Sequence, residues 1–168
     1  MFGLLLSSGS RLYSAETLLE YKVKAVCVLN AARFVSWPAS AFETADSPLV
    51  IGILGSNPFG STLQAVVQGE TVQQRRIVVR HIGREEVASV HILFISHSER
   101  DNVEGVLRAV GDANVLTISG IDRFTESGGV LGLTLPHGKI RFEVNSDAAR
   151  RARLKIDSQF LLLARAAR

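Results

Sequence analysis

Cysteine is nearly absent from this sequence, since Cys27 is the only one, and a single cysteine excludes both an internal disulfide and a cysteine-rich zinc site. Its neighbours Val26 and Val28 are apolar, so we expect a buried thiol that packs as a small hydrophobic group. The four histidines lack the spacing of a metal-binding pair. We therefore expect neither a metal site nor a cofactor.

Long hydrophobic runs are also missing, because the longest apolar stretches fall far short of the roughly 18 residues that span a bilayer. An integral membrane protein is not expected. The chain has 168 residues, 46% of them hydrophobic and 21% charged, which predicts one folded domain. The opening "MFGLLLSSGSRLYSA" has a short apolar patch with no basic residue before it. We interpret residues 1–14 as a signal-peptide remnant or disordered N-terminus, and residues 15–168 as the domain.

The basic excess of the chain is local to its C-terminus. Residues 147–168 hold six basic and two acidic residues, whereas the remaining 146 hold thirteen basic and fourteen acidic ones. A nucleic-acid-binding domain is expected to carry its positive charge over a broad surface. We therefore expect no nucleic-acid partner.

The pattern of apolar residues predicts strands alternating with helices. A long helix is expected from Glu16 to Trp37, because Leu19, Val23, Val26, Cys27, Asn30 and Phe34 recur at helical spacing before Pro38. Later helices are expected at 59–68, 99–110, 121–129 and after Ser146, with Leu154, Ile156, Phe160, Leu161 and Leu163 as the final apolar face. Buried strands are expected at 49–54, 90–96 and 114–119, a β-branched strand at 75–82, and a hairpin at 130–144. The predicted fold class is α/β: a three-layer sandwich with a mainly parallel sheet flanked by helices and an antiparallel C-terminal β-hairpin.

One stretch, "IGILGSNPFGSTL" at Ile51 to Leu63, has the strand-turn-helix order of a phosphate-binding loop. However, Ser61 stands where a Walker loop needs lysine, and the dinucleotide fingerprint G-x-G-x-x-G is absent. The alternative is a structural turn followed by a helix N-cap, for which Ser, Asn and Pro are preferred. We favour the turn.

Polar residues follow three of the predicted strands, and ligands of α/β sheets bind at the carboxyl ends of strands. If these strands are neighbours, their ends form a polar crevice that could hold a small polar ligand or anion. The candidate ligand-binding residues are Ser56, Asn57, Ser96, His97, Ser98, Arg100 and Ser119. The alternative is that all three segments are ordinary loops. There is no G-x-S-x-G nucleophile motif and no acid/base pair, so we assign no catalytic residue.

Seven motifs in order resemble the YfiR/HmsC-like family of periplasmic proteins. They are "EYKVKAVCVLNAARFVSWP", "ILGSNPFG", "RRIVVR", "HILFISHSER", "VLTIS", "GGVLGLTLPHGKIRFEVN" and "AARRARLKIDSQFLLLAR". The resemblance covers about Glu20 to Arg165. It implies a secreted, non-enzymatic α/β regulator that binds the periplasmic part of a membrane-anchored diguanylate cyclase, or a similar signalling protein, and holds it inactive. It also implies effects on cyclic di-GMP and biofilm formation.

Two residues within the family motifs are candidates for partner binding. Arg33 and Trp37 belong to types enriched at interfaces and could anchor a partner, but an arginine on an otherwise apolar helix usually pairs with a buried acid, and we favour this structural role. Some relatives have cysteine pairs that can bridge, which Cys27 alone cannot do. A C2 homodimer is the default expectation because that symmetry is common.

Overall fold

The computed structural model describes residues 8–166 of the chain. Residues 1–7 of the proposed leader lie outside the described residues, and residues 8–14 belong to the first helix. The helices are α1 (Ser8–Phe34), α2 (Thr62–Val67), α3 (Val103–Val110), α4 (Ser146–Arg151) and α5 (Ser158–Ala166). The strands are β1 (Val35–Ser36), β2 (Leu49–Leu54), β3 (Thr71–Val72), β4 (Arg75–Ile82), β5 (Ile92–Ile95), β6 (Leu116–Ser119), β7 (Leu131–Thr134), β8 (Arg141–Val144) and β9 (Lys155–Ile156).

The main sheet has seven strands in the order β3-β4-β2-β5-β6-β7-β8. Neighbours from β4 to β7 are parallel, whereas β3 pairs antiparallel with β4 and β8 pairs antiparallel with β7. The predicted parallel sheet and C-terminal hairpin are therefore confirmed. The chain passes from β2 to β4 on one side and then to β5 on the other, so the strand order reverses at β2. The ends of β2 and β5 form the topological switch point, where sheets of this kind bind ligands.

Helices cover both faces of this sheet, as a three-layer arrangement requires. One apolar cluster joins α1, α2 and α5 to side chains such as Ile53 and Phe94, and the other joins α3 to Leu93 and Ile95. Successive residues of β5 thus serve opposite faces, because side chains alternate along a strand. This explains why β5 consists entirely of apolar residues.

The buried face of α1 differs from the predicted one. Ala25, Val28 and Ala32 are fully buried, and their small side chains allow the helix to approach the sheet closely. Leu19 and Val26, which the sequence pattern placed on the buried face, are 64% and 47% exposed. Large apolar side chains therefore remain on the outer surface of this helix.

A second sheet joins the two ends of the domain. Helix α1 ends at Phe34 rather than Trp37, because Val35 and Ser36 form β1 and pair antiparallel with β9. The backbone N–H of Asp157 donates to the carbonyl oxygen of Phe34 at 2.8 Å. The ring of Phe34 stacks on Phe160, with centroids 5.5 Å apart. Neither two-residue strand was predicted.

The helix predicted at 121–129 is wrong. This segment is a series of hydrogen-bonded turns, with N–H groups of Phe124, Ser127 and Gly129 donating to the carbonyls of Ile121, Arg123 and Phe124. Arg123 has a φ of 57°, which is incompatible with a right-handed helix. Gly128, at 103°, supplies the left-handed turn before β7 that the paired glycines had indicated.

Candidate functional site

The carboxyl ends of β2, β5 and β6 lie side by side. Leu54 is in register with Ile95, and Ile95 with Ser119. The three polar segments that follow these strands are therefore brought to one edge of the sheet, as the crevice hypothesis requires. We call this region the carboxyl edge, comprising residues 55–57, 96–100 and 119–120.

The turn after β2 is held by bonds to two neighbouring segments and by bonds within the turn itself. The backbone N–H of Ser56 donates to Ser98 Oγ at 2.9 Å, and His81 Nε2 donates to the carbonyl oxygen of Gly55. Asn57 accepts from the N–H of Phe59 at 3.0 Å and donates to the carbonyl of Gly60 at 3.1 Å. These bonds within the segment favour the turn over the phosphate loop. No side-chain cap bond forms at the start of α2.

The deeper hydroxyl groups of the carboxyl edge are buried. Ser119 Oγ donates to the carbonyl oxygen of Ile95 at 2.7 Å and accepts from the N–H of Ile121 at 3.1 Å. Ser96 is also buried, and its backbone bonds Leu54. In contrast, His97 and Arg100 are exposed, and the Arg100 guanidinium lies 3.7 Å from Asp101. A ligand that bound Ser98 or Ser119 would have to displace bonds that these two hydroxyl groups already make.

A buried lysine that the sequence analysis missed lies near the same edge. Lys24 on α1 is almost fully buried, and its ammonium group pairs with Glu20 at 2.5 Å and lies 4.9 Å from the Tyr21 ring centroid. A Cβ atom on Gly120 would lie 2.9 Å from Lys24 Nζ, so glycine allows this close approach. The Glu20–Lys24 spacing was visible in the sequence, but the position of Gly120 beside it was not.

At the opposite edge, His91 holds the loop of residues 39–48 against the sheet. His91 Nδ1 accepts from the N–H of Val50 at 3.0 Å, which places the proton on Nε2, and Nε2 donates to the carbonyl of Ala41 at 2.9 Å. The Phe42 ring stacks on the imidazole with centroids 4.4 Å apart, and the Arg75 guanidinium lies 3.6 Å from the Phe42 centroid. We call these three stacked side chains the loop clamp.

Arg75 completes the loop clamp by donating from Nη1 to the carbonyl oxygens of Thr44, Ala45 and Ser47 at 2.7 to 3.0 Å. Burial lowers the pKa of His91; the bond to Ala41 opposes this effect, and the positive charge of Arg75 adds to it. The neutral imidazole fits the observed bonds, because a protonated Nδ1 would face the N–H of Val50.

The two candidate partner-binding residues have different environments. Trp37 is only 7% exposed, and its Nε1 donates to the carbonyl oxygen of His91 at 3.2 Å. The indole is therefore a packing residue rather than an exposed anchor. Arg33 is exposed and pairs with Glu70, which is also exposed. Cys27 is buried as expected, and this burial raises the pKa of its thiol.

Two cavities lie away from the carboxyl edge. One of about 420 Å³ lies between α3 and α4, with Arg108 and Arg151 among its lining residues. The other, of about 510 Å³, lies beneath the 39–48 loop beside His91. Neither is lined by the predicted ligand-binding residues. Within the described part of the chain, no group of His, Cys, Asp and Glu could hold a metal ion, and no helix is long and apolar enough to cross a membrane.

The strand order and layers define a doubly wound α/β domain. The chain belongs to the YfiR/HmsC-like family, because the family model matches residues 21–165. No curated protein matches the sequence. The fold is similar to the crystal structure of a conserved domain protein from Vibrio cholerae O1 biovar El Tor strain N16961, with a TM-score of 0.50 and 12% identity. That match covers 68% of this chain and 53% of the Vibrio chain, so this chain spans about half the length of its structural relative.

Proposed function

We propose that this protein is a non-enzymatic periplasmic regulator that binds the periplasmic part of an inner-membrane diguanylate cyclase and represses it, thereby tuning cyclic di-GMP signalling and biofilm formation. The observation that carries the proposal is the family match, which extends from α1 to α5. Internal bonding of the hydroxyl groups at the carboxyl edge supports a role in binding a partner over a role in binding a small ligand.

The outer surface of α1 is the contact surface that we propose for the cyclase. Residues Leu19, Lys22, Val26 and Arg33 are all exposed and follow helical spacing, so they form one outward stripe, which we call the outer stripe. Exposed apolar side chains flanked by cations are typical of protein contact surfaces. The stripe includes Arg33, the candidate that the structure leaves accessible.

Val26→Asp is expected to weaken repression of the cyclase at least about tenfold, because it would place a carboxylate in a desolvated contact. The measurement is cyclic di-GMP synthesis by a full-length membrane-anchored diguanylate cyclase from the same organism, reconstituted in membranes and titrated with purified protein. Ile140→Asp is the matched control, since Ile140 is an exposed apolar residue outside the stripe. If Val26→Asp folds and represses fully, the outer stripe is not the contact surface.

Arg33 is tested separately from its ion pair. Arg33→Ala and Glu70→Ala remove the same exposed ion pair, but only Arg33→Ala removes the arginine itself. If Arg33 contacts the cyclase directly, Arg33→Ala should therefore weaken repression, whereas Glu70→Ala should not. Equal losses of repression would mean that the ion pair acts by holding α1 against the turn after α2.

The regulatory proposal as a whole fails if unaltered protein has no effect on the cyclase and if a pull-down with tagged protein recovers no signalling protein from the membranes of its own organism.

A further inference from the structure

The outer edge of β4 is free along most of its length. The short strand β3 pairs only with Arg75 and Arg76, whereas β2 pairs with residues 77–82 from the other side. The seven-stranded sheet ends at β3, so no other strand within residues 8–166 lies beside this part of β4. We call the unpaired side of residues 77–81 the free edge.

The turn between β3 and β4 indicates which backbone groups point outward. Gln73 and Gln74 have positive φ values of 51° and 65°, as a two-residue type I′ hairpin turn requires. The residues that flank such a turn, Val72 and Arg75, exchange hydrogen bonds, so the backbone groups of Arg75 point toward β3. Every second residue of β4 then points its N–H and C=O groups to the same side. On the free edge these residues are Ile77, Val79 and His81.

A groove of about 640 Å³ follows the free edge between β4 and α2. The β4 side of the groove includes Ile77, Val78 and Val79, whose side chains are only half-buried. The α2 side includes Gln64 and Ala65, which are exposed. An extended chain in this groove would pair with the backbone of β4 and cover its apolar side chains, which is how strand addition binds a peptide.

Two arginines lie on one face of β4. Arg76 and Arg80 are both exposed, and their side chains point to the same face because they are four residues apart on a strand. Neither forms an ion pair within the part of the chain that the structure describes. Glu70, which lines the groove, pairs with Arg33 instead. Glu43 lines the cavity beside Arg80 but is not within ion-pair distance of it.

A second copy of β4 would bring like charges together at the free edge. In a two-fold antiparallel pair centred on Val78, Arg76 of one copy would lie opposite Arg80 of the other. In a pair centred on Val79, the two copies of Arg80 would be diagonal neighbours. Like charges in these positions destabilise a sheet, whereas carboxylates in the same positions would pair with the arginines. The charges thus favour an acidic strand over a second copy of this chain.

We propose that the free edge binds an extended acidic segment of a partner protein, which joins the sheet as a strand beside β4. The backbone of the segment bonds to Ile77, Val79 and His81, and its carboxylates lie beside Arg76 and Arg80. This inference goes beyond the proposed function, because it assigns a second surface on a different element from the outer stripe. It requires neither α1 nor a cyclase, so the two proposals can fail separately.

The test is binding of the full chain to a fluorescently labelled peptide with blocked ends and alternating Glu and Val residues. A length of about eight residues suits a single strand. Fluorescence anisotropy is expected to show binding at least about tenfold tighter than to the same peptide with Lys in place of Glu. This preference should weaken in about 0.5 M salt, because exposed charges are then screened.

Methylated peptides test whether the segment binds as a strand. Alternate residues of a strand point their N–H groups to opposite edges, so methylating the backbone nitrogens of one alternate set blocks one edge only. One peptide carries methyl groups on every Val nitrogen, and the other carries them on every Glu nitrogen. Only one of the two should lose at least about tenfold in affinity, because only one edge faces β4. Equal binding of the two methylated peptides would overturn strand addition.

Matched variants test the role of the arginines. Arg76→Gln/Arg80→Gln should weaken binding of the acidic peptide at least about tenfold. Arg100→Gln/Arg108→Gln, which removes the same charge from exposed sites elsewhere, should leave this binding unchanged. Circular dichroism and thermal melts verify that each variant folds.

Amide hydrogen exchange locates the bound peptide. The N–H groups of Ile77, Val79 and His81 should exchange at least about tenfold more slowly when the acidic peptide is bound. Those of Val78 and Arg80, which face β2, should be protected in both states. The proposal is overturned if the acidic peptide does not bind at about 1 mM, if the Lys peptide binds equally well, or if the added protection lies elsewhere. Protection of the free edge that depends on protein concentration, without peptide binding, would identify a self-paired dimer and would also overturn it.

Discussion

Gly55→Ala is expected to lower the free energy of unfolding by about 3 kcal/mol or more, from left-handed backbone strain, steric overlap and a lost hydrogen bond. Gly55 has a φ of 86°, a conformation that L side chains rarely adopt. A Cβ atom there would overlap Ser98 Oγ, the acceptor of the Ser56 N–H bond. Thermal and denaturant unfolding would measure the effect.

Gly60→Ala is the matched control for this substitution. Gly60 also has a positive φ, of 56°, but a Cβ atom there would meet nothing within 4 Å. We therefore expect it to cost about 1 kcal/mol, the contribution of backbone strain alone. The difference between the variants measures the close packing of β2 against the segment after β5. Equal losses would show that Ser98 moves aside freely.

The free energy of unfolding is expected to fall as the pH is lowered below about 6.5. We expect His91, which is held neutral in the loop clamp, to contribute to this loss. The pKa of folded His91 lies below its ordinary value of 6.5, so the unfolded chain binds a proton that the folded chain does not accept. The stabilising contribution of neutral His91 is complete above the pKa that this residue has in the unfolded chain. It is lost as the pH falls toward the lower pKa that it has in the folded chain. Urea unfolding between about pH 8 and pH 5 would measure it.

His91→Gln should reduce this pH dependence and cost about 1 to 3 kcal/mol at about pH 8, because the N–H of Val50 or the carbonyl of Ala41 loses its partner. His97→Gln is the control, since His97 is exposed at the carboxyl edge. It should retain the pH dependence of the unaltered protein. An unchanged pH profile in His91→Gln would show that other groups cause the acid sensitivity.

The sequence predicted those elements whose own residues decide their structure. The bounds of β2 and β4 match the predicted ones, because continuous apolar or β-branched runs favour strands. By contrast, β1 and β9 are too short to have a periodic pattern and depend on pairing with each other. At residues 121–129, a short helix ended by the paired glycines was predicted, but Arg123 adopts a positive φ that an arginine in the sequence does not indicate.

In the candidate site, too, the sequence predicts some features, whereas others depend on contacts between distant segments. Alternation of strands and helices was enough to predict that polar segments would meet at the carboxyl edge. It could not predict that Ser98 would bond Ser56, since this depends on the distance between two loops 42 residues apart. His91 was missed for a similar reason, because it bonds Ala41 and Val50 across separate elements. Leu163 of α5 was predicted to be buried, but the contacts of Phe160 with Phe34 and with β8 orient the helix so that Leu163 is 55% exposed.

The pairing of β1 with β9 also affects the order in which the domain can form. Val35 pairs with Ile156, so the partner strands are separated by about 120 residues. Contacts across such a distance form late, because the loop between them must close first. While the last residues are still being made, α1 lacks the packing that β9 and α5 provide. The final position of α1 is therefore reached only after the C-terminal segment has been synthesised.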